Sequence, residues 1–188
     1  MRLFTVGHGS RSTSELVSVL QAWGVERLVD VRRYPRSRRH PHLSYEALAE
    51  ELPAVGISVE WWGEELGGRR PRRAGSRHTA WRNDAFRGYA DHMDTELFRR
   101  GLERLVAEAG TGPPTAIMCA ETLWWRCHRR LVADAVVLAG HEVLHIRDER
   151  SADPHQLHPA LRQDAAGRPV YDGGVEALPL DDEGGPAT

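Results

Sequence analysis

The chain has 188 residues, of which 40% are hydrophobic and 28% charged, and its formal net charge is −2. This composition is typical of a globular protein with a core of its own, and two cysteines are too few for a disulfide framework. No apolar run approaches the roughly 20 residues of a membrane-spanning helix and the N-terminus carries no secretory signal, so we expect a cytoplasmic protein without membrane segments.

The first elements predict a parallel pair of strands. Residues 2–6 and 27–31 are short apolar runs that are typical of buried strands. Between them, Ser12 and Glu15 form a capping box at the start of a helical apolar stripe that ends at Gly24. A strand, a helix and a strand within about 30 residues make a βαβ unit, which implies parallel pairing and a right-handed crossover.

Short elements and basic loops follow. A basic loop over residues 32–42 precedes a short helix, which we expect Ser44 to cap and Gly56 to end. We predict a third strand over residues 57–62. Residues 63–82 have no periodicity and many breakers, so we predict a long loop there, and loops of this length are usually functional or mobile.

The second half of the chain alternates longer elements. Helical patterns cover residues 84–93 and 95–109, and the apolar run 114–119 predicts a buried strand. A helix is predicted over residues 127–139, and a last strand over residues 142–146.

The predicted fold class is α/β, in a three-layer single domain over residues 1–173. A mostly parallel sheet of about five strands carries helices on both faces. Residues 168–173 are expected to form a hairpin or an extended edge piece. Residues 172–188 hold five acidic residues and no basic one, so we predict an acidic, disordered tail over residues 174–188.

The basic residues are unevenly distributed. All 25 are arginines, and thirteen of them fall between Arg27 and Arg87. Codon bias in a GC-rich genome explains the missing lysines but not the clustering. Arginines at close quarters in the loop 32–42 repel one another unless an anion compensates them. Because guanidinium groups match the geometry of phosphate, we expect this loop to bind an anion rather than to be a merely solvated surface.

Polar and reactive side chains follow three of the predicted strands. The candidate residues are, in chain order, His8, Ser10, Asp30, Arg32, Arg36, Arg38, Cys119, Glu121, Cys127, His128 and Arg129. Ligands of open parallel sheets bind at the carboxyl ends of the strands, where loops and helix N-termini gather. We therefore expect these three groups of side chains to lie along one edge of the sheet.

The chemistry of the two cysteines stays open at this point. A cysteine at a strand end, close to arginines and to a helix N-terminus, is expected to have a stabilised thiolate. Arg126 lies one residue too far from Cys119 for a phosphatase loop, and the intervening segment lacks glycines. We predict no cofactor, but a metal site of Cys119, Cys127 and His128 is an alternative, although the spacing of the cysteines is unusual for zinc. Another alternative is that the two cysteines only fill space in the core.

Separate motifs along the chain carry a resemblance to a known family. They are, in order, TVGHGSRS, LVDVRRYPRSRRHPH, ELGG, FRGYADHM, AIMCAE, CHRRLVADAV and GHEVLHI. Together they resemble the bacterial and archaeal domain-of-unknown-function family numbered 488, from about Thr5 to Ile146 and more weakly in the segment HPALRQDAAGRPVYDG. The resemblance implies a compact α/β domain and no established activity.

The resemblance also implies a set of motif positions. They are His8, Asp30, Arg32, Pro35, Ser37, Arg38, Gly67, Gly68, Tyr89, Cys119, Glu121, Cys127, His128 and Arg129. The stretch TLWWR between Glu121 and Cys127 is unusually aromatic, and this departure puts the fit of a substrate in doubt rather than the chemistry.

The sequence favours an enzyme that acts on an anionic small molecule, a nucleotide or a nucleic acid. We expect Glu121 to act as general acid or base, His8 to carry or orient a proton, and Cys119 to be a nucleophile or to line the pocket. Substrate is expected to contact Ser10, Asp30, Arg32, Arg36, Arg38, Tyr89, Cys127, His128 and Arg129. The alternatives are a non-catalytic nucleic-acid-binding or regulatory module, and a metal-dependent or thiol-based enzyme of sulfur or phosphoryl transfer. Exposed aromatic residues also allow a homodimer.

Overall fold

The computed structural model describes residues 1–174. Its strands are β1 (Arg2–Gly7), β2 (Arg27–Asp30), β3 (Ser58–Trp61), β4 (Thr115–Cys119), β5 (Glu142–Ile146), β6 (Ala152–Pro154), β7 (Leu161–Gln163) and β8 (Pro169–Tyr171). Its α-helices are α1 (Thr13–Ala22), α2 (Tyr45–Glu51), α3 (Gly63–Leu66), α4 (Asp84–Met93), α5 (Glu96–Thr111) and α6 (Arg129–Leu138). Short 3-10 turns cover Pro41–Leu43, Leu52–Val55 and Trp124–Arg126.

The central sheet has six strands in the order β3-β2-β4-β1-β5-β6. Its first five members are parallel, and β6 pairs antiparallel with β5 at one edge. The prediction of a mostly parallel α/β sheet is confirmed, and β6 is a strand that the sequence pattern did not reveal. The segment expected to be a hairpin or edge piece is the second strand of a separate hairpin, β7–β8.

Local signals set the ends of the first helix as predicted. The Ser12 hydroxyl accepts the Glu15 backbone N–H, and the Glu15 carboxylate accepts the Ser12 backbone N–H at 2.7 Å. This reciprocal pairing satisfies two N–H groups that a helix start otherwise leaves without partners. Gly24 ends the helix with φ 64°, a left-handed conformation that glycine adopts without strain.

The two faces of the sheet bury different clusters because side chains alternate along each strand. On β1, Phe4 and Val6 pack against α1 and α2 in one cluster. Leu3 points to the opposite face, where α4, α5 and α6 form the second and larger cluster. Cys119, at the end of β4, packs against this second cluster, so its side chain lies on the α6 side of the sheet.

Two boundaries differ from the predictions. The segment predicted as one long loop over residues 63–82 contains α3, a single helical turn. The helix predicted to begin at residue 127 begins at Arg129, because Cys127 is extended (φ −121°, ψ 150°) after the preceding 3-10 turn. None of the helices in residues 1–174 has the length and apolar character that a membrane crossing requires. The predicted tail lies outside the described residues from residue 175 onward.

Candidate functional site

The strand order brings the predicted polar groups together. Because β4 lies between β2 and β1, the chain segments that leave these three strands are direct neighbours. Backbone hydrogen bonds extend the pairing past the strand ends: Val31 N–H donates to Met118 at 3.0 Å, and His8 N–H donates to Cys119 at 2.9 Å. This edge of the sheet holds the candidate site.

Cys119, Cys127 and His128 form a compact cluster at this edge, here called the cysteine–histidine cluster. The Nδ1 atom of His128 lies 3.9 Å from the sulfur of Cys119 and 3.6 Å from the sulfur of Cys127. These three atoms all lie within 4.8 Å of one another. The strand end supplies Cys119, and the turn before α6 supplies the other two residues, so a nine-residue step in sequence becomes one contact group.

The environment of His128 fixes its ring. Its Nε2 atom donates to the carbonyl of Val31 at 3.1 Å, which leaves Nδ1 as the atom with a free lone pair in the neutral ring. Tyr89 packs beside the ring at 5.0 Å between centroids and donates its own hydroxyl to Leu66. Gly68 closes another side, where an added Cβ would lie only 2.7 Å from Nδ1. The imidazole is therefore held with Nδ1 toward the two sulfurs.

Arg129 is buried behind the cluster. Its Nε donates to the sulfur of Cys127 at 3.4 Å, and its other nitrogens donate to the hydroxyl of Thr5 and to the carbonyl of Glu121. No carboxylate in the part of the chain that the structure describes pairs with this guanidinium. A buried charge needs compensation, and the nearest group able to provide a negative charge is the thiolate of Cys127.

The two sulfurs share one ionisation in the absence of other ligands. The hydrogen bond to Cys127, together with burial, raises the pKa of Cys119. Burial also acts to raise the pKa of Cys127, but the hydrogen bond from the Cys119 thiol and the charge of Arg129 outweigh it and bring this pKa well below its ordinary value. Cys127 is therefore the thiolate of the pair, and Cys119 the thiol that donates to it.

A continuous chain of hydrogen bonds supports Arg129 from behind. The guanidinium donates to Thr5 at 3.4 Å, and the Thr5 hydroxyl donates to His145 at 2.7 Å. His145 then donates to His155 at 2.9 Å, and His155 donates to Asp134 at 2.9 Å. In this arrangement every donor points the same way, from a cation to an anion, and His145 is neutral. Burial, first of all, lowers the pKa of His145 to about 2, in agreement with that state.

The cysteine–histidine cluster forms one wall of an open groove of about 560 Å³. Other residues that line this groove include Gly68, Arg69, Asn83, Phe86, Glu121 and Arg126. Arg69 has φ 56°, and it is the single non-glycine residue in residues 1–174 with positive φ. Such strained conformations persist where the surrounding structure holds them and are frequent at binding sites.

A smaller cavity of about 140 Å³ adjoins the groove and shares Cys119, His128 and Arg69 with it. Arg32 and the exposed Tyr34 line its far side. Cys119 and His128 thus line both depressions, and each depression is also lined by arginines.

The predicted pair Asp30 and Arg32 is internal. Asp30 is fully buried, and its carboxylate accepts three hydrogen bonds from the guanidinium of Arg32, at 2.8, 3.0 and 2.5 Å. The remaining nitrogen of Arg32 lies 3.0 Å from Nε2 of His8, and Nδ1 of His8 donates to the carbonyl of Gly9. Burial and the charge of Arg32 lower the pKa of His8 to about 4. The imidazole is neutral and supports the edge of the sheet behind the groove.

The remaining predicted residues lie at different distances from the cluster. Glu121 borders the groove, where its carboxylate is exposed and accepts the backbone N–H of Leu123. Arg36 pairs with Glu46 at 2.6 Å on the surface and, with Arg38, lines a separate depression. Ser10 is exposed outside the groove lining.

Several site residues carry no simple local signal in the sequence. Arg69, Asn83 and Phe86 reach the groove because the long segment after α3 folds back across the sheet edge. The paired glycines of the ELGG motif are the one cue to this, since Gly68 leaves room for His128. Thr5 and His145 looked like ordinary strand residues in the sequence.

Comparisons with known proteins identify a family and nothing more specific. No curated protein and no solved structure gives a significant match to the chain. The family model described as domain of unknown function DUF488 matches residues 12–136, which is more than half of the chain and includes the cysteine–histidine cluster. The resemblance seen in the sequence motifs is thereby confirmed, and the protein belongs to the DUF488 family.

Proposed function

We propose that this protein is an enzyme acting on an anionic, phosphate-bearing substrate of nucleotide-like size, bound in the groove beside the cysteine–histidine cluster. One observation carries the proposal: a thiol–imidazole cluster and the guanidinium groups of Arg69 and Arg126 line the same groove. Reactive side chains and anion-binding side chains in one concave site are the usual mark of an active site.

The electrostatics of the groove favour an anion. In residues 1–174, neither Arg69 nor Arg126 forms an ion pair with a carboxylate. The first turn of α4 also faces the groove, through Asn83 and Phe86, and the start of a helix carries a partial positive charge. The two free guanidinium groups provide donors suited to a phosphate group.

The size and lining of the groove suit a small substrate with an aromatic ring. Its volume of about 560 Å³ lies within the usual range of ligand sites, roughly 300 to 1,000 Å³. Phe86 lines it and is stacked on Trp81 at 4.7 Å between ring centroids, so its orientation is fixed. An oriented aromatic ring beside phosphate-binding arginines supports a nucleotide-like ligand.

The cluster supplies the reactive group. The Cys119 thiol and the buried guanidinium of Arg129 stabilise a thiolate at Cys127, and the thiolate is the form of cysteine that reacts and that binds metals. In this proposal Glu121, exposed on the groove, is the carboxylate available to move a proton. Arg129 positions the thiolate rather than phosphate, since its nitrogens are occupied by protein groups.

Binding and turnover can be tested separately on the full chain. Binding of adenosine monophosphate and of inorganic phosphate is measured by calorimetry for wild type, the double variant Arg69→Gln/Arg126→Gln and Cys119→Ser. The account predicts that the double variant loses at least about tenfold in affinity, because two charge-assisted contacts disappear. Cys119→Ser is expected to keep the affinity but to lose turnover of the bound substrate class. Phosphorus NMR and mass spectrometry measure this turnover.

Arg100→Gln is the matched control, since Arg100 is an exposed arginine on α5, paired with Glu96. Equal affinity of the double variant and wild type would overturn the groove as the anion site. Salt-dependent binding of single-stranded DNA without any turnover, unchanged in Cys119→Ser, would replace the enzyme by a nucleic-acid-binding module.

A further inference from the structure

We propose that Cys119, Cys127 and His128 bind one divalent zinc ion, with two thiolate ligands, one imidazole ligand and a fourth position open to the groove. The ion itself is inferred from these three side chains alone. Its role in turnover rests on the proposed function.

The distances within the cluster suit a tetrahedral ion. Zinc binds thiolate sulfur at about 2.3 Å and imidazole nitrogen at about 2.0 to 2.1 Å, so ligand nitrogen and sulfur atoms lie about 3.6 Å apart around it. Nδ1 of His128 lies 3.6 and 3.9 Å from the two sulfurs. The two nitrogen–sulfur separations are therefore already close to those that zinc requires, and the two sulfurs lie within 4.8 Å of one another.

The protonation of the imidazole is also suitable. Nε2 of His128 donates to the Val31 carbonyl, so Nδ1 presents a lone pair to the space between the sulfurs. Metal-binding histidines almost always donate their other ring N–H to a carbonyl or carboxylate in this way, which fixes the tautomer and the ring orientation. Tyr89 and Gly68 hold the same ring from two sides.

The surroundings of the sulfurs suit metal-bound thiolates. Arg129 donates to Cys127, and the backbone N–H of Glu121 donates to Cys119. Zinc with two thiolates and a neutral imidazole has no net charge, so the buried guanidinium leaves one positive charge at the site. A hydroxide or a substrate oxygen in the fourth position balances that charge, in keeping with an anionic substrate.

The number of ligands indicates a catalytic type of site rather than a structural one. Within residues 1–174, no further cysteine, histidine or carboxylate lies close enough to the three residues to serve as a fourth ligand. Structural zinc sites are closed by four protein ligands, whereas catalytic sites have three and bind water or substrate in the fourth position. All three residues line the groove, so the open position faces the proposed substrate.

The unusual spacing of the cysteines does not oppose this site. Common zinc motifs have two cysteines in one short turn, and the sequence argument against zinc rested on that pattern. Here the cysteines come from different elements, the end of β4 and the turn before α6. Their proximity is set by the sheet edge and not by a local loop.

The main rival is a redox-active pair. The two sulfurs lie within 4.8 Å, close enough for oxidation to a disulfide after a small rearrangement. A disulfide pair needs no metal and predicts reversible loss of both free thiols with a mild oxidant.

The test uses the full chain and the metals alone, without any substrate. Protein stripped of metal with a chelator under reducing conditions is titrated with Co(II), and the absorption spectrum is recorded. One equivalent of Co(II) is expected to give thiolate-to-cobalt charge-transfer bands and intense visible bands of a four-coordinate ion, which equimolar Zn(II) then removes. Cys119→Ser and His128→Gln should each weaken zinc binding by more than about 100-fold, because even outer-shell partners contribute about 10- to 100-fold.

His141→Gln is the matched control, because His141 precedes β5 and therefore lies at the opposite end of the parallel strands from the cluster. It should bind zinc as wild type does, and circular dichroism should show the same fold for every variant. Unchanged zinc affinity in both cluster variants would overturn the metal site. It would also be overturned if Co(II) gave no charge-transfer band and the two cysteines formed a disulfide reversibly. Since no substrate is present, these outcomes are independent of whether the groove binds phosphate.

Discussion

The Nε atom of Arg129 lies 3.4 Å from the sulfur of Cys127, and no carboxylate in residues 1–174 pairs with this buried guanidinium. The side chain is 1% exposed. Charge at this depth is tolerated only with compensation, so cation and thiolate stabilise one another. The interaction between Arg129 and the cluster therefore contributes to the stability of the fold.

Replacing Arg129 by Gln should destabilise the protein by about 3 kcal/mol or more, because the substitution leaves the thiolate and the Glu121 carbonyl without their donor. Urea unfolding followed by tryptophan fluorescence measures the change. Exposed Arg100→Gln, as control, should change stability by less than about 0.5 kcal/mol. A loss below about 1 kcal/mol for Arg129→Gln would show that this guanidinium carries no such role.

Replacing Gly68 by Ala should disturb His128 without unfolding the domain. The added Cβ would lie 2.7 Å from Nδ1, closer than real contacts allow, so the ring has to move away from the sulfurs. Zinc affinity is expected to fall by about 10- to 100-fold, as for loss of an outer-shell partner. Gly110→Ala is the control, since nothing lies within 4 Å of its added Cβ. Equal zinc affinity of both variants would contradict the assigned ring position.

Replacing Thr5 by Val tests the hydrogen-bonded chain behind Arg129. Valine has the same shape but no hydroxyl, which leaves Nδ1 of His145 and one nitrogen of Arg129 without their partner. We expect a loss of about 1 to 3 kcal/mol in the free energy of unfolding. The exposed Thr79→Val should be neutral within about 0.5 kcal/mol. A neutral or stabilising Thr5→Val would mean that Thr5 only fills space.

The fold was largely predictable because its signals are local. The capping box at Ser12 and Glu15, the left-handed Gly24 and the apolar runs of the central strands each specify an element within a few residues. Parallel pairing then placed the polar strand ends together. The short edge strand β6 and the single turn α3 escaped prediction, since elements of three or four residues carry almost no periodicity.

The site was less predictable, since it depends on side-chain directions and long-range contacts. Arg32 looked like a free phosphate ligand, but its partner Asp30 is two residues earlier and fully buried beside it. The approach of Cys119 to His128 depends on how residues 120–126 turn back toward the sheet. Arg69 reaches the groove through the fold of the segment after α3, whereas Arg126 reaches it from the turn before α6.

Stability should fall in mild acid because of buried neutral histidines. Burial, followed by nearby arginines, lowers the pKa of His92 to about 4, and burial with Arg32 lowers that of His8 to about 4. Between about pH 6.5 and 4 the unfolded chain takes up protons that the folded protein does not, so stability is complete above 6.5 and declines below it. Each histidine contributes at most about 3 kcal/mol to this decline.

Urea unfolding at a series of pH values measures this decline. His92→Gln can still donate to the carbonyl of Glu65 but does not titrate, so its stability should depend less steeply on pH in this window. The same slope in wild type and variant would show that His92 does not take part.

The most direct measurement is a crystal structure of the 188-residue chain grown with zinc and adenosine monophosphate, with diffraction data collected on both sides of the zinc absorption edge. The account predicts an anomalous peak about 2.3 Å from both sulfurs and about 2.0 Å from Nδ1 of His128. It also predicts the phosphate within hydrogen-bonding distance of Arg69 and Arg126. A cluster without an anomalous peak, together with a groove that holds no nucleotide, would contradict it.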